Sequence, residues 1–176
     1  MYDVAVIGCG IVGAAAAYEL SRYNCRVLVL EAKNDVANVT TKANSAILHA
    51  GYDPTPGTLM AETNVRGVAL AKELCEKLDV EREEIGSLVL AFGEEDERHL
   101  EKLYQQGLAN GVPGIELLTA DEVHALEPNV SDKVTAALYA PTAAIVSPWE
   151  YALALAETAV VNGCELRLSA PVTGID

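Results

Sequence analysis

The sequence predicts an α/β chain in which a parallel βαβ core is interrupted by an inserted α+β segment. Three observations predict it. Val4, Ala5, Val6 and Ile7 form an apolar run that halts at glycines and leads into an alanine-rich stretch. A second apolar run, "CRVLVLE", follows within the roughly 30 residues that one βαβ unit occupies. A further helix and strand, "PWEYALALAETAVV" and "CELRL", return only after residue 147.

Each element has a local reason. The run Val4–Ile7 is continuously apolar, as in a strand buried on both faces. The helix after it is expected to reach about Tyr23 and to stop at Asn24. "CRVLVLE" is then a second strand, parallel to the first through a right-handed crossover. Residues 32–56 read as mostly irregular and contain "DPTPG". A long helix is expected from Thr58 to Leu78, with Val65, Val68, Ala71, Cys75 and Leu78 on one face.

The middle of the chain changes character. "SLVLAF" (87–92) reads as a strand, and "EEDERHLEKLYQQGLANG" as an exposed amphipathic helix ending at Gly111. "IELL" is a short strand. Thr119 and Glu122 have capping-box spacing and start a helix that stops before Pro128. "TAALYAP" is another strand. In "SPWE", Ser147 caps, Pro148 takes the first helical position and Glu150 reaches back to the cap amide. That helix ends at Gly163, "CELRL" is a strand, and "PVTGID" begins another. Residues 1–81 and 146–176 thus form one part, and 82–145 an insertion.

Composition narrows the function. The 176 residues carry a formal net charge of −14 and are 51% hydrophobic. That balance excludes a nucleic-acid binder, which needs clustered Lys and Arg. No apolar run reaches the roughly 18 residues of a membrane-spanning helix, and the start lacks the basic flank of a signal peptide. Cys9, Cys25, Cys75 and Cys164 are scattered without metal-ligand spacing. They read as reduced thiols of a cytoplasmic protein, with no metal site.

Gly8-Cys9-Gly10-Ile11-Val12-Gly13 is a G-x-G-x-x-G between a strand and a helix. Glu31 closes the second strand 18 residues past Gly13. Together these make the Rossmann-like dinucleotide fingerprint. Gly8 permits the tight turn, Gly10 lets the backbone approach a pyrophosphate, and Gly13 lets helix and strand pack closely. The helix N-terminus offers amide donors to phosphate. Glu31 suits a ribose diol and repels a 2′-phosphate. The pattern alone does not choose between NAD and FAD. The detour does: the third strand candidate, Glu165 to Leu168, comes more than 130 residues after Glu31. A flavin fold accommodates that interruption better than an NAD-dependent dehydrogenase.

Three stretches, "DVAVIGCGIVGAAAAYELSRYNCRVLVLE", "TTKANSAILHAGYDPTPGTLMA" and "PTAAIVSPWEYALALAETAVVNGCELRL", resemble the FAD-dependent oxidoreductases of the D-amino-acid oxidase superfamily. "NSAILHAGY" and "TPGTL" look most like L-2-hydroxyglutarate oxidases and flavin-dependent glycerol-3-phosphate dehydrogenases. The resemblance implies a Rossmann-like FAD-binding core with an inserted part of a substrate domain. It also implies a chain cut off at the C-terminus, since such enzymes are at least twice as long. By position it implies that Ala32 follows the ribose acid. It places Thr40, Thr41, Asn44 and Ser45 at the pyrophosphate and ribityl region. Leu48, His49, Ala50 and Gly51, after Ile47, run along the isoalloxazine, and a strand containing Val172 lies near the adenine.

His49 has two readings: a catalytic group beside the flavin, or a packed histidine in a loop turn. Tyr52 is a weaker flavin-side candidate. His99 and His124 read as surface or structural residues, the acidic runs at 81–84 and 93–98 as solvated faces, and Trp149 as core. The implied activity is oxidation of a hydroxy acid or polyol phosphate, a small-molecule substrate. Arg66 and Arg82 are not obvious substitutes for the cations that would hold it, so the chain alone is expected to be inactive or very weak. The alternatives are an amine or amino-acid oxidase of the same superfamily, or a non-catalytic nucleotide-binding module. An incomplete sheet could also pair edge to edge in a homodimer.

Overall fold

The computed structural model describes residues 1–175. In chain order its elements are β1 (Val4–Ile7), α1 (Ile11–Leu20), β2 (Val27–Leu30), β3 (Ile47–Leu48), α2 (Leu59–Lys77), β4 (Arg82–Glu83), β5 (Ser87–Ala91), α3 (Glu94–Asn110), β6 (Glu116–Thr119), α4 (Ala120–Leu126), β7 (Ala136–Ala140), β8 (Ala144–Val146), α5 (Pro148–Val161) and β9 (Glu165–Arg167). They fall into two compact units. The first is 1–46, 75–81 and 146–176; the second is 47–74 and 82–145. Residues 47–74 thus pack with the insertion, because β3 pairs with β8 at Ile47↔Ile145 and Leu48↔Ala144.

The first unit holds a parallel sheet in the order β1-β2-β9. Val4 pairs with Val27 and Ile7 with Leu30, while Leu28 pairs with Glu165. The strand expected after the long detour is therefore the neighbour of β2. Helices α1 and α5 pack against each other. Small residues make this possible: Ala14, Ala17, Ala152, Ala156 and Ala159 are all buried. The Lys77 ammonium lies 5.6 Å from the centroid of the Tyr18 ring, a cation–π contact.

Five expectations are corrected here. Only one face of β1 is partly buried, and Ile7 is 57% exposed, because no described residue of this unit covers the outer face of that edge strand. Helix α1 stops at Leu20. The Ser21 hydroxyl donates to Tyr18 O, and Arg22 and Tyr23 amides make tight i→i−3 bonds. Trp149 is 52% exposed at the start of α5. The Ser147 hydroxyl caps Glu150 N, without the return bond from Glu150. Finally, residues 171–175 form no strand. The chain turns at Ser169 (φ +52°), whose amide goes to Lys33 O, and Ala170 N goes to Glu31 O. Beyond that point no described strand lies alongside, so Val172 sits in an irregular stretch.

The second unit holds two antiparallel-rich sheets. One, in the order β5-β7-β6, pairs Ser87 with Ala140 and Glu116 with Tyr139. Leu100 and Leu103 of α3 pack on one face with Ala91, Leu138 and Tyr52. Val123 of α4 packs on the other with Leu118 and Ala137. The Thr119–Glu122 capping box forms in full. The other sheet, β3-β8-β4, consists of two- and three-residue strands, too short to show in the sequence.

Candidate functional site

The glycine loop joins β1 to α1 in a closed set of contacts. Gly8 has φ +92° and its amide donates to Leu30 O at 2.8 Å, which fixes the turn against β2. A Cβ on Gly13 would stand 2.0 Å from Gly8 O, so only glycine lets the first turn of α1 sit on the loop. A Cβ on Gly10 would meet Thr41 Oγ1 at 3.1 Å. At both positions the missing Cβ lets the loop and the Thr41 side chain come close to the start of α1. Its first-turn amides have no intrahelical acceptor, and the amide of Ile11 donates to Thr41 Oγ1 at 3.1 Å.

Glu31 is buried at the end of β2, 8% exposed. Its Oε2 accepts from Cys9 N at 2.7 Å and its Oε1 from Lys33 N at 2.8 Å. The carboxylate therefore ties the glycine loop to the strand that follows it, and each oxygen keeps a second lone pair. Burial, with the Glu31 carboxylate adding to it, pushes the Cys9 thiol up to about 11. Cys9 is thus a neutral packing residue.

The segment after β2 folds back on the loop. Ala37, in the left-handed region at φ +55°, donates its amide to Cys9 O at 2.9 Å. The Asn44 side-chain amide donates to Thr41 O at 2.7 Å, and its Oδ1 accepts from Ala46 N at 2.8 Å. Asn44 thereby shapes the turn that presents Thr41. Ala32, Thr40 and Ser45 are exposed, and Val12 is 81% exposed beside the loop. Of the residues singled out in the sequence, this unit brings together Gly8, Gly10, Ile11, Gly13, Glu31 and Thr41.

Leu48, His49, Ala50 and Gly51 belong to the second unit. The loop from His49 to Pro54 is held by side-chain amides that pattern reading missed. Asn64 donates to His49 O. Asn110 donates to Gly51 O at 2.9 Å and to Pro54 O at 2.8 Å. Gln106 donates to Tyr52 O and Asp53 O, both at 3.3 Å. Gly51 has φ +107°, and a Cβ there would meet Val65 Cγ2 at 2.6 Å. Ala50 and Tyr52 are buried while the His49 side chain is exposed. The only local signal for this clamp is the polar "QQGLAN" end of α3, which does not reveal its partners 50 residues earlier.

The clamp gives a prediction. In Asn110→Ala the carbonyls of Gly51 and Pro54 lose their donor, and an unsatisfied buried carbonyl costs about 1–3 kcal/mol. Chemical denaturation should show a loss in that range. Amide exchange should quicken at residues 50–55 while residues 4–20 keep their protection.

Comparison with known proteins fits this geometry. The family model described as FAD-dependent oxidoreductase, DAO, matches residues 3–176. The chain belongs to this family. Its cofactor is FAD. A glycerol 3-phosphate dehydrogenase of Caloramator mitchellensis is 51% identical over 176 residues, covering 100% of this chain and 37% of that protein. The human mitochondrial L-2-hydroxyglutarate dehydrogenase is 32% identical over 177 residues, covering 99% and 38%. Among solved structures, a dithionite-reduced L-α-glycerophosphate oxidase from Mycoplasma pneumoniae with FAD bound superposes with a TM-score of 0.90 at 33% identity. It covers 98% of this chain and 46% of that one. The chain spans less than half the length of these relatives.

Among the described residues of this DAO-family chain, no helix is long and apolar enough to cross a membrane. No disulfide forms among them.

Proposed function

We propose that the chain forms the FAD-nucleotide-binding part, and part of the substrate-bearing region, of an oxidoreductase acting on a CH–OH group. The substrate class is a small hydroxy acid or polyol phosphate of the glycerol-3-phosphate or 2-hydroxyglutarate type. The observation that carries this is the loop geometry. Gly10 and Gly13 carry no Cβ where one would meet Thr41 Oγ1 or Gly8 O, the first-turn amides of α1 have no intrahelical acceptor, Thr41 Oγ1 meets the Ile11 amide at 3.1 Å, and Glu31 is locked 2.7 Å from Cys9 N. That cradle fits a dinucleotide pyrophosphate with a ribose beside it.

Bound FAD supplies the hydride acceptor. The amides around Gly10, Ile11, Val12 and Gly13 hold pyrophosphate oxygens, and Glu31, followed by Ala32, accepts from the ribose diol. Thr40, Thr41, Asn44 and Ser45 serve the pyrophosphate and ribityl region. The main chain at Val172 serves the adenine. In the second unit, the stretch Leu48, Ala50 and Gly51 serves the flat ring, with small residues at Ala50 and Gly51. His49 orients the substrate or takes its hydroxyl proton. The chain alone turns over substrate weakly or not at all. It is cytoplasmic, and the open edges β1 and β9 are where two copies would pair as a homodimer. Light scattering that shows only monomer at high concentration removes the dimer.

The decisive experiment adds FAD to the purified chain and follows flavin fluorescence and thermal unfolding. Stabilisation that grows with ligand is expected, about 2.7 kcal/mol at a hundred times Kd, with no effect from NADP. No saturable response to FAD would remove the reading of residues 8–45 as a nucleotide site.

A further inference from the structure

The second unit contains a cavity of about 230 Å³ that nothing so far explains. Ala50, Val65, Val68 and Pro113 form its apolar wall. Its polar side is made by Arg82, Thr142, Lys72 and Glu84. The sequence places Arg82 in a charged run that reads as a solvated face. The structure buries it instead: the side chain is only 9% exposed.

The pairing at this corner is incomplete. Arg82 Nη2 donates to Glu84 Oε2, and Lys72 Nζ lies 3.4 Å from the same oxygen. Arg82 Nη1 is buried and has no acceptor among the described residues. Thr142 Oγ1 is buried and unpartnered as well. Unpaired polar groups are rare in protein interiors, and a guanidinium N–H is the costlier kind to leave bare. Two of them line one cavity.

Their chemistry defines an occupant. A guanidinium can only donate, and a threonine hydroxyl can donate beside it. The occupant must therefore offer acceptor oxygens. Arg82 and Lys72 carry two positive charges and Glu84 one negative, leaving a single positive charge for a monoanion. The cavity equals the liquid volume of about seven or eight waters, so one bridging water does not fill it. The apolar wall calls for a hydrocarbon body. The two donors are also fixed in place. Arg82 starts β4, Thr142 immediately precedes the Ala143 that leads into β8, and both strands belong to one sheet, with Gly86 N donating to Ala143 O at 2.9 Å.

We propose that this cavity binds a short-chain aliphatic monocarboxylate. Arg82 Nη1 and Thr142 Oγ1 donate to its carboxylate, and its chain lies on the Val65–Val68 wall. The inference does not depend on the flavin reading, and its test needs no flavin. The flavin-free chain is titrated with sodium butyrate at constant ionic strength and followed by amide chemical shifts. Inorganic phosphate tests the anion without the chain, and 1-butanol the chain without the anion. Saturable shifts at residues 82–84 and 142–144 are expected with butyrate, with affinity several-fold above either comparator. Arg82→Gln should weaken butyrate by about tenfold or more, since it removes a charge-assisted donor. Thr142→Val keeps the Arg82–Glu84 pair, so the fold survives, and should weaken butyrate about fivefold. Absence of saturable shifts, or equal butyrate affinity in Thr142→Val, overturns the site. Phosphate or butanol binding as tightly as butyrate overturns the carboxylate assignment.

Discussion

Gly13→Ala should be among the most damaging single-methyl additions in this chain. Within a helix, replacing glycine by alanine ordinarily stabilises by about 1 kcal/mol, because alanine loses less backbone entropy. At Gly13 the added Cβ would stand 2.0 Å from the carbonyl oxygen and 3.0 Å from the carbonyl carbon of Gly8. Both are backbone atoms, so no side-chain rotation relieves the clash. Helix α1 must move off the glycine loop, breaking its register with Gly8 and drawing the first-turn amides away from Thr41. Such overpacking costs about 1–3 kcal/mol, and more where backbone atoms clash, which outweighs the propensity gain. Gly67 supplies the control. It lies inside α2 and a Cβ there meets nothing within 4 Å. Gly67→Ala should therefore raise stability by up to about 1 kcal/mol. Thermal unfolding of the two variants should move in opposite directions, and FAD should stabilise only Gly67→Ala. A Gly13→Ala protein as stable as the parent would refute the close approach of loop and helix.

The elements most legible in the sequence are those whose cause is local. The β1–α1–β2 unit shows itself through an apolar run, three glycines and an acid at fixed spacing. The Thr119–Glu122 box and the Ser147–Pro148 start show themselves through capping chemistry within one turn. The third parallel strand, Glu165 onward, was legible once the interruption was recognised as an insertion. What was not legible depends on partners far away in the chain. Strands β3, β4 and β8 have two or three residues each and exist only because they pair with one another. The burial of Arg82 inside "EREE" is set by the sheet around it, not by its neighbours in sequence. The exposure of Ile7 likewise depends on what covers the outer face of β1.

The same distinction divides the candidate site. Gly8, Gly10, Gly13 and Glu31 are readable because a dinucleotide loop is a short-range device. The amide clamp on residues 49–54 is not, since Asn110 and Gln106 reach it from more than 50 residues away. Each device holds backbone in place and leaves something for a ligand to meet: first-turn amides without an intrahelical acceptor in the first unit, an exposed His49 in the second. Asn44 and Asn110 use a side-chain amide to satisfy backbone carbonyls where no strand or helix can do so.

Glu31→Gln should separate the ribose role of this residue from its structural role. The substitution keeps size and removes charge. One of the two carboxylate oxygens becomes an NH₂ group, which cannot accept from a backbone amide. Either Cys9 N or Lys33 N then loses its acceptor at a position where the parent side chain is 8% exposed. Leaving one such donor unpaired costs about 1–3 kcal/mol, so stability should fall within that range. Cys9 gives an internal check. The Glu31 carboxylate contributes to holding its thiol near 11, after burial itself. Removing that charge should lower the Cys9 value while burial keeps it above that of an exposed thiol. The Cys9 resonances, followed by NMR, should then titrate at lower pH than in the parent. FAD affinity should fall further than the stability loss explains, because the ribose loses a charged acceptor; charge-assisted hydrogen bonds are roughly twice as strong as neutral ones. A variant with lowered stability, a shifted Cys9 titration and unchanged FAD affinity would leave Glu31 as a loop fastener alone. The ribose would then have to be held by other groups, with the exposed main chain at Ala32 the first place to look.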